Sequence, residues 1–227
     1  VIIFLFFPHT HWNKYIECKG YDGLYGNAQF YEKFRRFWSK INLVLLSHYH
    51  DKTVYYLNHP LYIFTDRDKE LTKLMLQGAG INVPESVYTR ELEQILQMVD
   101  DGEQLYLKVR YGPMGKGITY MDKDYWKTNF GFVDGKIVNS ESEFNWRFQD
   151  VAGNEEFVQQ LLRKDIIIEK AVPAGLINGL RFDLRFYVFR GNINYIYCRV
   201  NEPESVTTNI SQGGTGKDAR FLQYIPP

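Results

Sequence analysis

Three glycines and two lysines lie close together in the stretch YLKVRYGPMGKGIT, between Tyr106 and Thr119. Glycines let backbone N–H groups approach a ligand and lysines carry positive charge, so this composition is typical of a phosphate-binding loop. The apolar segment QLYLKVR precedes the glycines, and the β-prone segment GITYMDK follows them. The sequence therefore predicts a glycine-rich loop between two strands.

Two common phosphate loops do not fit this stretch. A Walker loop needs a glycine, then four residues, then Gly-Lys-Ser or Gly-Lys-Thr at the start of a helix, but here Gly117 follows Lys116 and residue 110, where the first glycine should stand, is arginine. A dinucleotide fingerprint needs Gly-x-Gly-x-x-Gly before a helix, whereas these glycines are followed by a strand. The remaining interpretations are an ordinary turn and a hairpin that closes over phosphates, with Lys108 below it.

Composition excludes several classes of protein. The 227 residues are 44% apolar, which is enough for one large domain or two small ones. The 27 basic residues balance the 27 acidic ones, so the net charge gives no reason to expect nucleic acid or an anionic membrane as a partner. Cys18 and Cys198 have neither metal-site nor disulfide-framework spacing, so a cytoplasmic location is predicted. The opening VIIFLFF is too short to span a bilayer and is predicted to be a buried strand. The missing initiator Met and the ending YIPP suggest that residues are missing at both ends.

The hydrophobic pattern predicts a parallel α/β start. VIIFLFF and INLVLLS are the predicted strands, and the helix QFYEKFRRFWSK lies between them with Phe30, Phe34, Phe37 and Trp38 on one face. A second helix is predicted in TDRDKELTKLMLQGAG, capped by Thr or Asp and ending at Gly78 or Gly80.

The rest of the chain predicts antiparallel sheet with helices, hence an α+β fold. Helices are predicted in RELEQILQMV and EEFVQQLLRK, and strands in DIIIEKAV, LRFDLRFYVFRG and NINYIYCRVN, with a turn at Gly191 and Asn192. Alternation places Asp183, Arg185 and Tyr187 on one face of their strand.

The order of several segments resembles a known superfamily. Between about Asn58 and Gly214, seven segments follow one another in the order typical of ATP-grasp proteins. These segments are DRDKELTKLMLQGAGINVPES, YLKV, the glycine loop, IIIEK, FDLRFYVF, YCRV and TTNISQGG. FDLRFYV and TNISQGG are most similar to its spore-coat-associated, YheC/YheD-like branch, with a fainter likeness to tubulin tyrosine ligase. The resemblance implies two α+β subdomains that grip ATP, at 66–170 and 171–227, the second apparently incomplete, after a small α/β domain at 1–65.

The same resemblance implies a nucleotide site. It assigns Lys69 and Lys108 to the phosphate chain, although Lys69 alone could equally be a solvated helix residue. Glu169 would accept a hydrogen bond from the adenine amino group, although by itself it reads as an exposed strand end. The flexible lid would comprise Gly112, Gly115, Lys116 and Gly117, and the backbone that pairs with the adenine ring edge would belong to Lys170, Ala171 and Val172.

Further residues are implied for chemistry. Arg185 and Arg199 would act on the transferred phosphoryl group, since a guanidinium matches phosphate geometry. Asp183, Asn209, Gly213 and Gly214 would contact substrate, although Asp183 could instead form an ion pair with Arg185 or Arg181. The family's acidic magnesium ligand and its Glu-x-Asn pair have no counterpart after Gly214. Glu202 and Glu204 are close in sequence but lie in an unsuitable loop, so the magnesium ligands stay unassigned. PAGLING offers no acid for the ribose, so that contact also stays unassigned.

A histidine-rich stretch is a weaker metal candidate. LLSHYHDK places His48, His50 and Asp51 after an apolar run, similar to a His-x-His-x-Asp-His metal loop. The acid comes one residue early and Lys52 or Thr53 replaces the last histidine. His9 or His11 could add ligands only through the tertiary fold. A surface or substrate-pocket role is favoured over zinc binding.

The preferred functional prediction is an ATP- and Mg²⁺-dependent ligase that joins a carboxylate to an amine through an acyl phosphate. Its partners would be small-molecule or peptide substrates, partly held by residues 1 to about 65. Two alternatives stay open: an ATP-grasp phosphotransferase that acts on a hydroxyl, and a structural or regulatory protein of spore-coat type that binds ATP without turnover. The oligomeric state and the substrates' identity are not predicted.

Overall fold

A computed structural model describes residues 1–5, 8, 10–11, 24–140 and 146–218. The four α-helices in this part of the chain are α1 (Ala28–His48), α2 (Lys69–Gly78), α3 (Leu92–Asp100) and α4 (Glu155–Leu162). The fourteen strands are β1 (Ile2–Ile3), β2 (Tyr55–Tyr56), β3 (Ser86–Val87), β4 (Leu105–Val109), β5 (Ile118–Met121), β6 (Trp126–Thr128), β7 (Gly131–Val133), β8 (Lys136–Val138), β9 (Gln149–Asp150), β10 (Ile166–Lys170), β11 (Leu176–Ile177), β12 (Leu180–Phe189), β13 (Asn192–Asn201) and β14 (Thr215–Asp218).

Two antiparallel sheets form the framework of the molecule. The larger sheet has the strand order β3-β10-β4-β5-β6-β9, and the smaller has the order β11-β12-β13-β14. Helices α3 and α4 cover the larger sheet, and their apolar side chains form a continuous core with the strands. The buried residues of that core include Ile95, Val99, Leu105, Leu107, Met121, Phe157, Leu161 and Ile168. The α+β class predicted from the sequence is therefore confirmed.

The sequence alternation along β4 explains which of its side chains face the core. Leu105, Leu107 and Val109 are buried, whereas Tyr106 and Lys108 between them are only partly covered. Successive side chains of a strand point to opposite faces, so the apolar set packs against the helices. Tyr106 and Lys108 consequently lie on the opposite face, towards the smaller sheet, where the Tyr106 hydroxyl donates to the Val206 carbonyl at 2.8 Å.

The N-terminal part differs from the prediction in two elements. VIIFLFF was predicted as a buried strand, but among its described residues only Ile2–Ile3 is strand, and Val1, Ile2 and Phe4 are exposed because β1 belongs to a sheet of only two strands, which covers little of its surface. INLVLLS was predicted as a strand, but α1 runs without interruption to His48. The prediction was wrong because extending an existing helix adds a hydrogen bond per residue without a new nucleation cost, and neither Gly nor Pro interrupts the segment. The predicted parallel pairing is present in another place, since β1 pairs in parallel with β2.

Other local predictions are confirmed. Phe30, Phe34 and Trp38 are buried on one face of α1, with Phe37 packed against them. Helix α2 ends at Gly78, and the Asp68 side chain caps it by accepting from the Leu71 N–H at 3.1 Å.

The β12–β13 turn lies one residue earlier than predicted, because Phe189 pairs with Asn192. Its two central residues, Arg190 and Gly191, have φ of 50° and 76°, as two-residue hairpin turns require. The predicted domain boundaries stay predictions.

Candidate functional site

One buried carboxylate lies between two lysine side chains on the face of the larger sheet opposite α3 and α4. Glu169 on β10 is 6% exposed, and its Oε2 is 2.7 Å from the Lys108 Nζ of the neighbouring strand β4. Its Oε1 is 2.9 Å from the Nζ of Lys73 on α2. Burial raises the pKa of the Glu169 carboxyl, but the two ammonium groups outweigh burial and hold the pKa below its usual range. The carboxylate is therefore ionised at neutral pH, and Glu169 is not the exposed strand end that its position alone suggested.

Lys69 holds the base of the glycine hairpin. Its Nζ donates to the Val109 carbonyl at 2.7 Å and also to the Gly112 carbonyl. Burial and the nearby Lys108 ammonium lower the pKa of Lys69 to about 7. A solvated first-turn role is thus wrong for Lys69. Together with Lys73, Lys108 and Glu169 it forms what we call the lysine cluster.

The glycine hairpin between β4 and β5 is folded onto the C-terminal segment. The Gly115 carbonyl accepts from Asn129 Nδ2 at 2.7 Å and from Gln212 Nε2 at 2.5 Å. Gly115 has φ of +68°, and a Cβ at that position would lie 1.7 Å from Asn209 Nδ2. The loop therefore makes its closest approach to the TTNISQGG segment at a residue that must be glycine.

The other predicted lid residues have structural partners. Gly112 packs so closely that a Cβ would lie 2.5 Å from Val109 Cγ2, and Gly117 is similarly close to Val109. The Lys116 Nζ lies over the rings of Tyr25 and Trp146, 5.0 and 5.8 Å from their centroids. Lys116 is thus placed against aromatic rings at the outer side of the loop and not in the lysine cluster.

Arg199 was predicted to act on phosphate, but it is committed to protein partners. Its Nε donates to Asp183 Oδ1 at 2.8 Å, its Nη2 donates to Asp183 Oδ2, and its Nη1 donates to Asn209 Oδ1 at 2.6 Å. Thr208 Oγ1 also donates to Asp183 Oδ2, at 2.7 Å. Burial raises the pKa of the Asp183 carboxyl, but these hydrogen bonds hold it below its usual range. Asp183 thus forms an ion pair, but its partner is Arg199 and not Arg185 or Arg181, the two partners expected from the sequence.

Arg185 differs from Arg199 in its surroundings. It lies two residues after Asp183 on β12, on the same strand face, and is exposed. Its positive charge contributes to lowering the pKa of the Asp183 carboxyl. Because its side chain is exposed, Arg185 is accessible to an anionic ligand.

The TTNISQGG segment forms a compact turn. Gly213 has φ of +99°, and the Gly214 N–H donates to the Asn209 carbonyl at 3.0 Å. A Cβ on Gly214 would lie 2.1 Å from the Thr208 carbonyl oxygen. Both glycines are therefore explained by the turn that presents Asn209 and Gln212 to the hairpin.

The segment after β10 was predicted to pair with the adenine ring through its backbone. The Lys170 N–H already donates to the Glu85 carbonyl at 3.0 Å, and the Ala171 N–H to the Gln104 carbonyl at 2.7 Å. The Lys170 side chain points to Glu103 and Glu85, at 2.8 and 3.3 Å. Of the three predicted residues, the exposed Val172 is the one whose N–H has no partner among the described residues.

The described residues supply no metal centre and no membrane-crossing helix. In the ranges that the structure describes, no three His, Cys, Asp or Glu side chains cluster as metal ligands would. His48 packs edge-on against Tyr49, and His50 Nδ1 lies 3.1 Å from the Ser47 carbonyl oxygen. Across the same ranges, no helix combines the length and apolar character that crossing a bilayer requires.

Sequence reasoning missed Lys73, Gln212 and the ion pair of Asp68 with Arg110. Lys73 lies four residues after Lys69 on α2, so helical periodicity could have placed both on one face. Arg110 contacts both Asp68 oxygens at 2.8 Å and so connects the end of β4 to the start of α2. No local pattern pairs residues 42 positions apart, so that contact required the fold.

Two antiparallel sheets that meet across a lysine-lined face, with a glycine hairpin folded between them, define the ATP-grasp class of proteins. The family model described as YheC/D like ATP-grasp matches residues 74–224, and the chain belongs to that family. Lys108, Glu169, Arg185 and Arg199 lie inside the matched range. None of the curated proteins compared with the chain matches it. Membership supports an ATP-dependent, ligase-type activity in general terms.

Proposed function

We propose that the protein is an ATP-dependent ligase that joins a carboxylate to an amine through an acyl phosphate. The observation that carries this proposal is the lysine cluster below the glycine hairpin. It contains three lysine side chains and one carboxylate, so it holds two net positive charges when Lys69 is protonated. A partly buried excess of positive charge is compensated by an anionic ligand, and a triphosphate has matching charge.

The cluster and hairpin would hold ATP by charge and by exclusion of water. Lys108 would contact the phosphate chain, Lys69 would add positive charge from the base of the hairpin, where its ammonium donates to backbone carbonyls, and the lid residues would close above. The backbone near Val172 would pair with the adenine ring edge, whereas both carboxylate oxygens of Glu169 are engaged by Lys73 and Lys108, which disfavours the adenine contact implied for Glu169. ATP supplies an electrophilic γ-phosphorus, and Mg²⁺ would neutralise charge on its oxygens; the residues that would hold Mg²⁺ are not assigned.

The proposed chemistry needs no side-chain nucleophile. A carboxylate oxygen of the substrate attacks the γ-phosphorus, the bond from that phosphorus to the β,γ-bridging oxygen breaks, and ADP leaves. The amine nitrogen then attacks the acyl carbon, inorganic phosphate leaves, and the amine proton passes to solvent. Arg185, exposed beside Asp183, would stabilise the transferred phosphoryl group. Cys198 is fully buried, and burial raises the pKa of its thiol, which disfavours a covalent role for that thiol.

ATP affinity is the first test. We expect Lys108→Ala to weaken ATP binding by calorimetry about 10- to 100-fold, since a charged hydrogen bond is worth about 1.5–3 kcal/mol. Lys136→Ala on β8, an exposed lysine, is the matched control and should bind like the wild type. Equal affinity of wild type and Lys108→Ala would refute the phosphate assignment.

Product analysis is the second test. Incubation with ATP, Mg²⁺ and a panel of amino acids and dipeptides should release ADP and phosphate together with an amide product. ADP with a phosphorylated hydroxyl compound would favour the phosphotransferase alternative. ATP binding without ADP release across the panel would favour the structural or regulatory alternative.

A further inference from the structure

Lys73 occupies a protected position in the lysine cluster. Its side chain is 11% exposed, and its Nζ contacts Glu169 Oε1 at 2.9 Å and Ser86 Oγ at 2.7 Å. Helix α2 and strand β3 therefore both orient this ammonium group towards a single carboxylate oxygen. Neither the family match nor the predicted ATP contacts assign a role to Lys73, which precedes the matched range.

The two lysines that share Glu169 are not equivalent. Lys73 and Lys108 use different oxygens of the carboxylate, so each can leave without breaking the other's contact. Lys108 is more accessible, at 25% side-chain exposure, and lies over the Tyr106 ring on the face that the smaller sheet approaches. Lys108 is therefore the member able to turn towards a ligand, and Lys73 is the member that stays.

Moving Lys108 has an electrostatic cost that depends on Lys73. A carboxylate at 6% exposure is strongly destabilised when it has no cationic partner. With Lys73 in place, Glu169 keeps one direct ion pair when Lys108 turns away. Without Lys73, Lys108 would be the sole cation in contact with Glu169 among the described residues and would be held back from phosphate.

We propose that Lys73 is a positioning residue that keeps Glu169 paired and thereby releases Lys108 to bind the phosphate chain of a nucleotide. This inference rests on the proposed function, because it requires Lys108 to be a phosphate ligand. It assigns Lys73 no contact with the nucleotide. Its effect on affinity passes entirely through Glu169 and Lys108.

A double-mutant cycle on Lys73 and Glu169 tests the proposal. Glu169→Gln keeps the shape and one acceptor oxygen but removes the charge that retains Lys108. We expect Lys73→Met to weaken ATP binding at least tenfold by calorimetry in the wild-type background and less than twofold in the Glu169→Gln background. Lys73→Arg, which preserves the cation, should stay within about threefold of wild type. Equal weakening by Lys73→Met in both backgrounds would overturn the proposal.

Two probes separate this mechanism from a general structural effect. Tripolyphosphate should lose affinity in Lys73→Met as ATP does, whereas adenosine should bind as in the wild type. A parallel loss for adenosine would show a distorted site and contradict the inference. Should Lys73→Met fail to fold, as thermal unfolding would reveal, Lys73→Gln serves in the same cycle with the same expected non-additivity. If Lys108→Ala itself leaves ATP affinity unchanged, the proposed function fails before Lys73 is tested.

Discussion

Replacement of Gly115 by alanine should detach the hairpin from the C-terminal segment. Gly115 has φ of +68°, and the new Cβ would overlap Asn209 Nδ2 at 1.7 Å. Asn209 cannot simply turn aside, because its Oδ1 accepts from Arg199 at 2.6 Å. The overlap is relieved at lowest cost if the hairpin lifts, which breaks the hydrogen bond from Gln212 of the C-terminal segment to the Gly115 carbonyl.

The expected magnitude follows from those contacts. One hydrogen bond gives about 0.5–1.5 kcal/mol of docking free energy, beyond about 1–2 kcal/mol for alanine in the left-handed region. Gly153→Ala is the matched control, since Gly153 has φ of +73° and its Cβ would meet nothing within 4 Å. The difference between the two variants isolates the lost docking of the hairpin.

Limited trypsin digestion measures the docking directly. Lys116 follows Gly115 in the loop, so lifting the hairpin exposes that peptide bond. We expect cleavage after Lys116 to be about tenfold faster in Gly115→Ala than in Gly153→Ala, and ATP binding to be weaker in the first variant alone. Equal cleavage rates in the two variants would refute the docked hairpin.

Two further predictions concern charged groups. Because the pKa of Lys69 is lowered to about 7, a bound polyanion should raise that pKa. At pH 8, where ATP itself is already ionised, ATP binding should therefore take up about 0.9 proton, measured by calorimetry in buffers of different ionisation enthalpy. Lys69→Arg, always charged, should abolish this uptake. Arg199→Ala should lower stability by about 1–3 kcal/mol in urea unfolding, because Asp183, whose side chain is 37% exposed, loses its charged hydrogen bonds but keeps the one from Thr208. Arg185→Ala should unfold like wild type and reduce ADP release, and a stability loss in that variant would contradict its exposed position.

Local patterns were sufficient for most elements of the fold. Apolar periodicity and capping predicted α2, α3 and α4, and alternation predicted the long strands β12 and β13, because these signals depend on neighbours within one or two turns. The same reasoning failed at INLVLLS, where a β-branched apolar run continues a helix. An apolar run of that length is compatible with a strand or with a helix. It is helical here because it continues the preceding helix without interruption.

The residue types at the candidate site were also readable in the sequence, but their partners were not. The resemblance to ATP-grasp proteins, carried by the order of short segments, assigned roles to Lys69, Lys108, Glu169 and Arg199. That Glu169 is shared by Lys73 and Lys108, and that Arg199 is held by Asp183, depends on pairs 16 to 96 positions apart, as the residue numbers show. Such pairings cannot be read from spacing in one chain.

The sequence alone determined the α+β class, the glycine hairpin and the excess of lysine near it, because strand alternation, turn chemistry and charge are properties of short segments. The tertiary structure decided which cations are committed and which are available. Burial makes every charge depend on its nearest partner, and those partners come from different strands and helices. The distinction between Arg199, which holds the smaller sheet together, and Arg185, which faces solvent, therefore exists only in the folded chain.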